Sequence, residues 1–137
     1  MTGTNFSSWY NQTQGTFVVE FDTYATSNYG PSFTAQISGG NDRHQIACAA
    51  GPAAYTVVGG VVQAAVGTIA SASAKVAYAY NTNDFSASVN GAAVSTDVSG
   101  TVPTGLTYAT LGKFDFGGGQ SGSRLHFACR SEEHTSE

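Results

Sequence analysis

The residues whose type and spacing suit catalysis best are two carboxylates, Glu20 and Asp22. They lie in a segment, residues 17–24, whose apolar positions alternate with period two, and in a strand positions i and i+2 project from the same face. Two carboxylates on one face are the groups that hydrolyse glycosidic bonds. Glu20 is, however, the only glutamate before residue 132, so a solvated strand face is the favoured interpretation.

Two histidines are the remaining candidates for proton transfer, His44 and His126. Neither lies beside a serine or cysteine nucleophile motif or in an H-E-x-x-H pattern, so the sequence supports neither a hydrolytic triad nor zinc chemistry. His44 follows Asp42 and Arg43 and is expected to be an exposed turn residue. We therefore expect a protein that is not an enzyme.

Ligand binding has two groups of candidate residues. Trp9 and Tyr10 are suited by type, because the face of an aromatic ring packs against the CH groups of a sugar. Aromatic residues are more often core, which is favoured for Trp9, and the sequence does not rank Tyr24, Tyr29, Tyr55 and Tyr108. Asn81, Asn83 and Asp84 form a polar loop with oxygens of the kind that calcium takes, although turn formation alone explains them and is favoured. We expect no cofactor, with calcium left open.

The composition of the 137-residue chain is that of one β-rich globular domain, with 41% hydrophobic, 12% aromatic and only 10% charged residues. Five Lys and Arg, no basic run and a net charge of −4 argue against a nucleic-acid partner. No apolar stretch approaches the length of a membrane span, and the first ten residues lack the features of a secretion signal. Two free thiols are favoured over a disulfide between Cys48 and Cys129.

The hydrophobic pattern predicts about nine or ten short strands and no helix. Turn signals separate these strands, at Gly39 to Asp42, at Gly59-Gly60 and most clearly at Asn90-Gly91, where both positions need positive φ. Many short strands with regular turns indicate an all-β fold, an antiparallel β-sandwich of the jelly-roll type. The strands are predicted at residues 17–24, 32–38, 44–49, 54–58, 61–66, 75–80, 85–89, 92–95 and 106–111.

The last eight residues, 130–137, read RSEEHTSE and resemble the translation of a common short-read sequencing adapter. Three of the four glutamates of the chain lie there, which is a sharp break in composition. We predict a single domain over residues 1–129, followed by a non-native tail at 130–137. The sandwich is expected to be truncated at its C-terminus.

Two blocks of sequence carry a family resemblance: FSSWYNQTQGT at 6–16 and AKVAYAYNTNDFSASVNGAAVSTD at 74–97. Together they resemble concanavalin A-like (LamG-type) lectin and glucanase jelly rolls of the kind found in phage and prophage tail-fibre or tailspike proteins. The likeness covers most of residues 6–112. Lys75 stands where the family often has histidine, and residues 113–129 do not match the closing strand expected of it.

The resemblance implies a fold and a choice of functions. Laminarinase-like members carry E-x-D-x-x-E or E-x-D-x-E on one strand, whereas here Glu20-Phe-Asp22 is followed by no second glutamate. We therefore expect a non-catalytic glycan-binding or structural domain of a virion appendage, with bacterial surface glycans as partners and a homotrimer within a longer fibre. A stand-alone secreted lectin and a degenerate glucanase fragment are the alternatives.

Overall fold

A computed structural model describes residues 1–23, 31–47, 50–71, 73–112 and 123–131 of the chain. The described residues form one short helix and ten strands. These elements are α1 (Thr4–Ser7), β1 (Gly15–Thr23), β2 (Pro31–Gln36), β3 (Arg43–Ala47), β4 (Gly51–Val58), β5 (Val61–Ile69), β6 (Ser73–Asn81), β7 (Asp84–Val89), β8 (Ser95–Asp97), β9 (Tyr108–Leu111) and β10 (Ser123–Ser131).

The strands form two antiparallel sheets of five strands each, which pack face to face. Sheet 1 has the order β10-β1-β6-β7-β8, and sheet 2 has the order β5-β4-β3-β2-β9. The predicted all-β sandwich is therefore confirmed, and its architecture is compatible with a jelly roll. In the part of the chain that the structure describes, no helix is long and apolar enough to cross a membrane.

Period-two alternation explains which face of each strand is buried. On β1, Phe17, Val19 and Phe21 are buried, as predicted, and on β6 the buried residues include Tyr78 and Tyr80. These side chains meet the inner face of sheet 2. Burying one such large apolar side chain contributes about 1.5–3 kcal/mol, so the alternation fixes which way both strands face.

The predicted turns are present and have the required backbone geometry. Asn90 has φ 53° and Gly91 has φ 75°, and the Ala92 amide donates to the Val89 carbonyl across this turn. The β4–β5 hairpin turns at Gly59 and Gly60, both with positive φ. The Gly60 amide donates to the carbonyl of Asn41, so this hairpin is joined to the β2–β3 turn.

The C-terminal segment corrects one prediction. Residues 113–129 were not expected to match the closing strand, but β10 pairs with β1 from Thr16↔Ser131 to Thr23↔Ser123, with a register shift between Glu20 and Phe21. The signal was present, because Leu125, Phe127 and Cys129 alternate with polar or small residues. The strand also runs two residues past 129, into the predicted tail, whose non-native origin stays a prediction. Residues 113–122 and 132–137 lie outside the described residues.

The two sheets approach each other closely at Gly67 on β5. Its φ is 73°, and a Cβ placed there would lie 3.0 Å from the Ala53 Cβ and 3.2 Å from the Ala87 Cβ. Ala53 belongs to sheet 2 and Ala87 to sheet 1, so a side chain at this position would push against both. Glycine is thus required here for its conformation and for its lack of volume.

We predict that Gly67→Ala destabilises the domain more than Gly105→Ala. Gly105 has almost the same φ, 75°, but no atom within 4 Å of its Cβ position, so it isolates the backbone cost, which is about 1 kcal/mol. The crowding at Gly67 adds about 1–3 kcal/mol to that cost. Urea unfolding of the two variants measures the difference in unfolding free energy. Equal losses would contradict the prediction, because they would show that the sheets accommodate a methyl group at Gly67 without cost.

Candidate functional site

The predicted aromatic candidates, Trp9 and Tyr10, follow α1 and belong to a cluster at the N-terminus. The ring of Tyr10 stacks on Phe6 with centroids 4.7 Å apart, and only 6% of Tyr10 is exposed. Trp9 packs edge-on against Phe6 at 5.2 Å and remains partly exposed. Its indole Nε1 donates to the Met1 sulfur at 2.7 Å. Tyr10 is thus part of the core, and Trp9 covers that core while keeping some surface in solvent.

The predicted polar candidates occupy the β6–β7 turn, and the two asparagine side chains bond to the backbone. Asn81 Oδ1 accepts from the Thr82 amide at 2.7 Å, and Asn83 Oδ1 accepts from the Gly100 amide at 3.1 Å. Asn83 has φ 57°, a conformation that asparagine tolerates well, and its own amide donates to the Gly100 carbonyl. These are the turn-forming contacts favoured from the sequence.

Calcium binding at this turn remains a prediction. Asp84 is exposed and lies opposite Asn81 in the β6–β7 register. Among the described residues there is no cluster of three or more His, Cys, Asp or Glu side chains suited to a metal ion. The loop therefore offers one carboxylate, together with amide oxygens that already accept hydrogen bonds from the backbone.

The two groups of candidates lie at the same end of the sandwich. Tyr80, the residue before Asn81, has its ring 6.1 Å from that of Tyr10. The Tyr80 hydroxyl donates to the carbonyl of Asn11 at 2.7 Å. The structure thus places the segment after α1 next to the start of the β6–β7 turn.

The carboxylates Glu20 and Asp22 lie on the outer face of sheet 1. Glu20 is opposite Lys75 on β6, and its carboxylate is 3.8 Å from the lysine Nζ. The two side chains are 47% and 61% exposed, respectively. An ion pair this exposed contributes less than about 1 kcal/mol. The Glu20–Lys75 ion pair thus lies on a solvated face of sheet 1.

His44 was expected to be an exposed turn residue, and this prediction is wrong. It lies on β3 and has no exposed surface, because it is in phase with Ile46, whose side chain also faces the core. Its register partners on the inner face of sheet 2 are Ala35 and Thr56. The small residue Ala35 leaves room for an imidazole between the sheets. The alternation of β3 was the signal that could have shown this.

A chain of hydrogen bonds passes through His44 from one sheet to the other. His44 Nδ1 and Thr56 Oγ1 are 2.8 Å apart, and Thr56 Oγ1 is in turn hydrogen-bonded to the Tyr78 hydroxyl. The imidazole also packs against the ring of Tyr80, with centroids 4.1 Å apart. His44 and Thr56 belong to sheet 2, whereas Tyr78 and Tyr80 belong to sheet 1. Sequence reasoning did not find this connection, since it joins residues on three separate strands.

Burial sets the protonation states in this chain. It raises the pKa of the Tyr78 hydroxyl well above its ordinary value, so that the phenol stays neutral and can donate a hydrogen bond. It likewise raises the pKa of Tyr10. The neutral Tyr78 hydroxyl is a hydrogen-bond partner of Thr56, whereas the Tyr10 hydroxyl has no hydrogen-bond partner among the described residues, and neither phenol is suited to act as a base.

We predict that Tyr78→Phe costs about 1–2 kcal/mol of unfolding free energy. The change keeps the ring in place but deprives the buried Thr56 hydroxyl of one partner. Tyr55→Phe is the matched control, because Tyr55 is partly exposed on the outer face and water can replace its contacts. We expect that control to change stability by less than about 0.5 kcal/mol. Denaturant unfolding of both variants tests this, and a neutral Tyr78→Phe would exclude a stabilising role for the bond.

The outer face of sheet 2 carries polar and aromatic side chains that the sequence did not single out. One row runs across all five of its strands through directly paired residues, Thr110, Thr34, Gln45, Tyr55 and Ala65. In the neighbouring row, Gln36 pairs with Tyr108 on one side and with Arg43 on the other. Because outward positions of an antiparallel sheet need not be apolar, this face can hold a polar ligand surface.

The centre of this outer face holds buried oxygen atoms without partners. Thr34 and Gln36 have no exposed surface, and neither Thr34 Oγ1 nor Gln36 Oε1 has a hydrogen-bond partner. The residues around them are more accessible, since Arg43, Tyr55 and Tyr108 are each partly exposed. Any contact with a ligand on this face would therefore be made by the accessible side chains at its margin.

At the margin, Tyr55 lies beside two side chains that hold each other in place. Arg43 Nε donates to Gln45 Oε1 at 3.0 Å, and Arg43 Nη1 donates to the Gly40 carbonyl at 2.7 Å. Gln45 is the direct cross-strand neighbour of Tyr55. On its other side Tyr55 meets the small, exposed Ala65, which leaves that side of the ring uncrowded. Tyr55, Gln45 and Arg43 are named the Tyr55 patch below.

Comparison with known proteins gives no match: no family model matches the chain, and neither a curated protein nor a solved structure is significantly similar to it. The sandwich architecture is shown by the structure itself. The resemblance to LamG-type domains and the phage origin remain predictions from the sequence. Cys48 and Tyr24 lie outside the described residues. The expectation that Cys48 is a free thiol therefore stays a prediction.

Proposed function

We propose that this chain is a non-catalytic glycan-binding domain of the concanavalin A-like type, carried by a phage or prophage virion appendage and used for attachment to bacterial surface glycans. The resemblance of residues 6–16 and 74–97 supports the family and the virion setting. The sandwich of two five-stranded antiparallel sheets supports the fold class. The Tyr55 patch is the observation that carries the binding proposal.

The patch combines the two kinds of contact that sugars require. A partly exposed phenol ring supplies an apolar face for the CH groups of a pyranose. Arg43, which is partly exposed, supplies a planar polar group next to it, and the hydrogen bond from Arg43 Nε to the buried Gln45 fixes the guanidinium before a ligand arrives. Side chains already held in position lose less conformational entropy when a ligand binds. Burial raises the pKa of Tyr55, so its hydroxyl stays neutral and available as a donor.

The non-catalytic part of the proposal rests on the placement of the carboxylates. Glu20 and Asp22 lie on sheet 1, whereas the Tyr55 patch lies on the outer face of sheet 2. Glu20 instead lies opposite Lys75 on β6, with its carboxylate 3.8 Å from the lysine Nζ. Of the described residues, the carboxylate pair Glu20 and Asp22 would therefore lie away from a glycan at the patch.

We predict that Tyr55→Ala weakens glycan binding by at least about tenfold, since an aromatic contact and the apolar area under it are lost together. The measurement is a glycan array with the 137-residue chain, followed by calorimetry on the best sugar. Trp9→Ala is the comparison variant, because Trp9 is the partly exposed aromatic of the N-terminal cluster.

The outcomes separate the candidate sites. Loss of binding in Trp9→Ala with retention in Tyr55→Ala would move the site to the N-terminal cluster. A fall in affinity when EDTA is added would assign a role to calcium, with Asn81, Asn83 and Asp84 as its first candidates. If no glycan binds at all, the domain is a structural element of the appendage. Release of reducing sugar from β-glucan would contradict the non-catalytic assignment.

The setting of the domain is tested by its assembly. A trimer in light scattering supports a fibre and hence a virion, whereas a monomer that binds glycans favours a secreted lectin module. The light-scattering measurement itself needs no knowledge of the ligand.

A further inference from the structure

One titratable side chain lies between the sheets without a partner for its second ring nitrogen. His44 is fully buried, and while Nδ1 is hydrogen-bonded to Thr56, Nε2 has no hydrogen-bond partner in the part of the chain that the structure describes. In the neutral imidazole one nitrogen carries a proton and the other does not. A proton on Nδ1 is satisfied by Thr56 Oγ1, so the lone pair without a partner is the one on Nε2.

The groups that face this ring come from several elements, and those that titrate are phenols. From sheet 1, Phe17 on β1 has its ring 6.0 Å away, and on β6 the rings of Tyr78 and Tyr80 are 6.0 Å and 4.1 Å away. From sheet 2, Ala35 and Thr56 are the direct register neighbours. Tyr10 stacks behind Tyr80.

The charged residues before His44 on its own segment do not face it. The Asp42 carboxylate accepts a hydrogen bond from the Gly59 amide in the β4–β5 turn, and Arg43 reaches the Gly40 carbonyl from the outer face. Among the described residues, no carboxylate contacts the imidazole. A second proton on His44 would therefore create a buried cation with no anion beside it.

We propose that His44 is an acid-sensitive switch in the fold, at which protonation of Nε2 separates the two sheets around Tyr80. The face of the Tyr80 ring attracts a cation, but a single cation–π contact recovers only part of the hydration that a buried imidazolium loses. The ring must consequently leave the interface to become charged. When it leaves, the hydrogen bond to Thr56 and the packing against Tyr80 are lost together.

The direction of the pH dependence follows from linkage. Burial lowers the pKa of His44 to about 3, against about 6.5 in an unfolded chain. The folded state therefore binds fewer protons than the unfolded state between these two values. The stability that the neutral His44 contributes is fully present above about pH 6.5, and this contribution is lost as the pH falls from there towards 3. In that window the folding equilibrium constant falls about tenfold per pH unit on account of this one group.

The test compares urea unfolding of the full chain with that of His44→Gln at pH 7.5 and pH 5.0. Glutamine keeps an N–H that can donate to Thr56 but cannot titrate. His126, His134 and the carboxylates are present in both proteins, so their contributions cancel in the comparison. We expect the folding equilibrium constant of the wild type to fall about 30-fold more than that of His44→Gln between the two pH values. An equal fall in both proteins would overturn the proposal.

Thr56→Val separates the titration from the loss of a hydrogen bond. This variant loses the hydroxyl but keeps the imidazole, so we expect lower stability at both pH values with the pH dependence of the wild type. A pH dependence as weak as that of His44→Gln would mean that the threonine, and not the imidazole, controls it.

If His44→Gln does not fold, the wild-type protein still decides the question. The ring-proton shifts of His44 in NMR spectra of the folded chain are expected to stay constant from pH 7.5 to 4.5. A titration near pH 6.5 in the folded state would show that the buried site accepts the proton, and the proposal would be wrong.

Discussion

The contact between the His44 and Tyr80 rings, 4.1 Å apart, is the point on which the packing of this domain depends. It joins the middle of sheet 2 to the middle of sheet 1, and the other large core rings surround it. Phe17 lies 5.2 Å from Tyr80, and Tyr10 extends the stack towards the N-terminus. A polar ring is tolerated here because Thr56, itself hydrogen-bonded to Tyr78, satisfies one of its nitrogens. The two sheets thus meet through a few large rings.

This arrangement explains part of the amino-acid composition of the chain. Large rings in one sheet need small residues opposite them, and the inner row of sheet 2 supplies alanines at positions 35, 64 and 109 around His44 and Thr56. The same principle applies at Gly67, where even a methyl group is excluded. The low content of charge accompanies an interior filled by Ala, Val, Ile, Tyr and Phe, and an outer face of sheet 2 that carries Thr, Gln and Tyr.

Much of the fold could be predicted from the sequence, because period-two alternation and turn chemistry are local signals. Phe17, Val19 and Phe21 showed the inward face of β1, and Asn90-Gly91 marked the turn after β7 through backbone conformation alone. The errors arose where neighbours in sequence suggested the wrong environment. Asp42 and Arg43 made His44 look exposed, although its phase with Ile46 indicated the opposite. The return strand after Asn90-Gly91 begins at Ser95 rather than Ala92.

The candidate site was less predictable, for a reason that holds beyond this protein. The residues of the Tyr55 patch lie on β3 and β4, and the outer-face row through Tyr55 extends to Thr34 on β2 and Thr110 on β9. No local sequence pattern connects these positions. Tyr10 was singled out by residue type, yet it lies in the core because Phe6 and Tyr80 pack against its ring. Residue type states what a side chain can do, whereas strand pairing decides whether it reaches solvent.

The pairing of β1 also has a consequence for how the chain folds during synthesis. Its neighbours are β6 and β10, so Val19 pairs with Val76 on one side and with Ala128 on the other. When β1 leaves the ribosome, neither partner has yet been made, and its row of Phe17, Val19 and Phe21 has no complementary surface. Long-range pairings of this kind form slowly, because a large loop must close before any contact is gained. The nascent chain must therefore keep the apolar face of β1 from other partners until β6 and β10 have been translated.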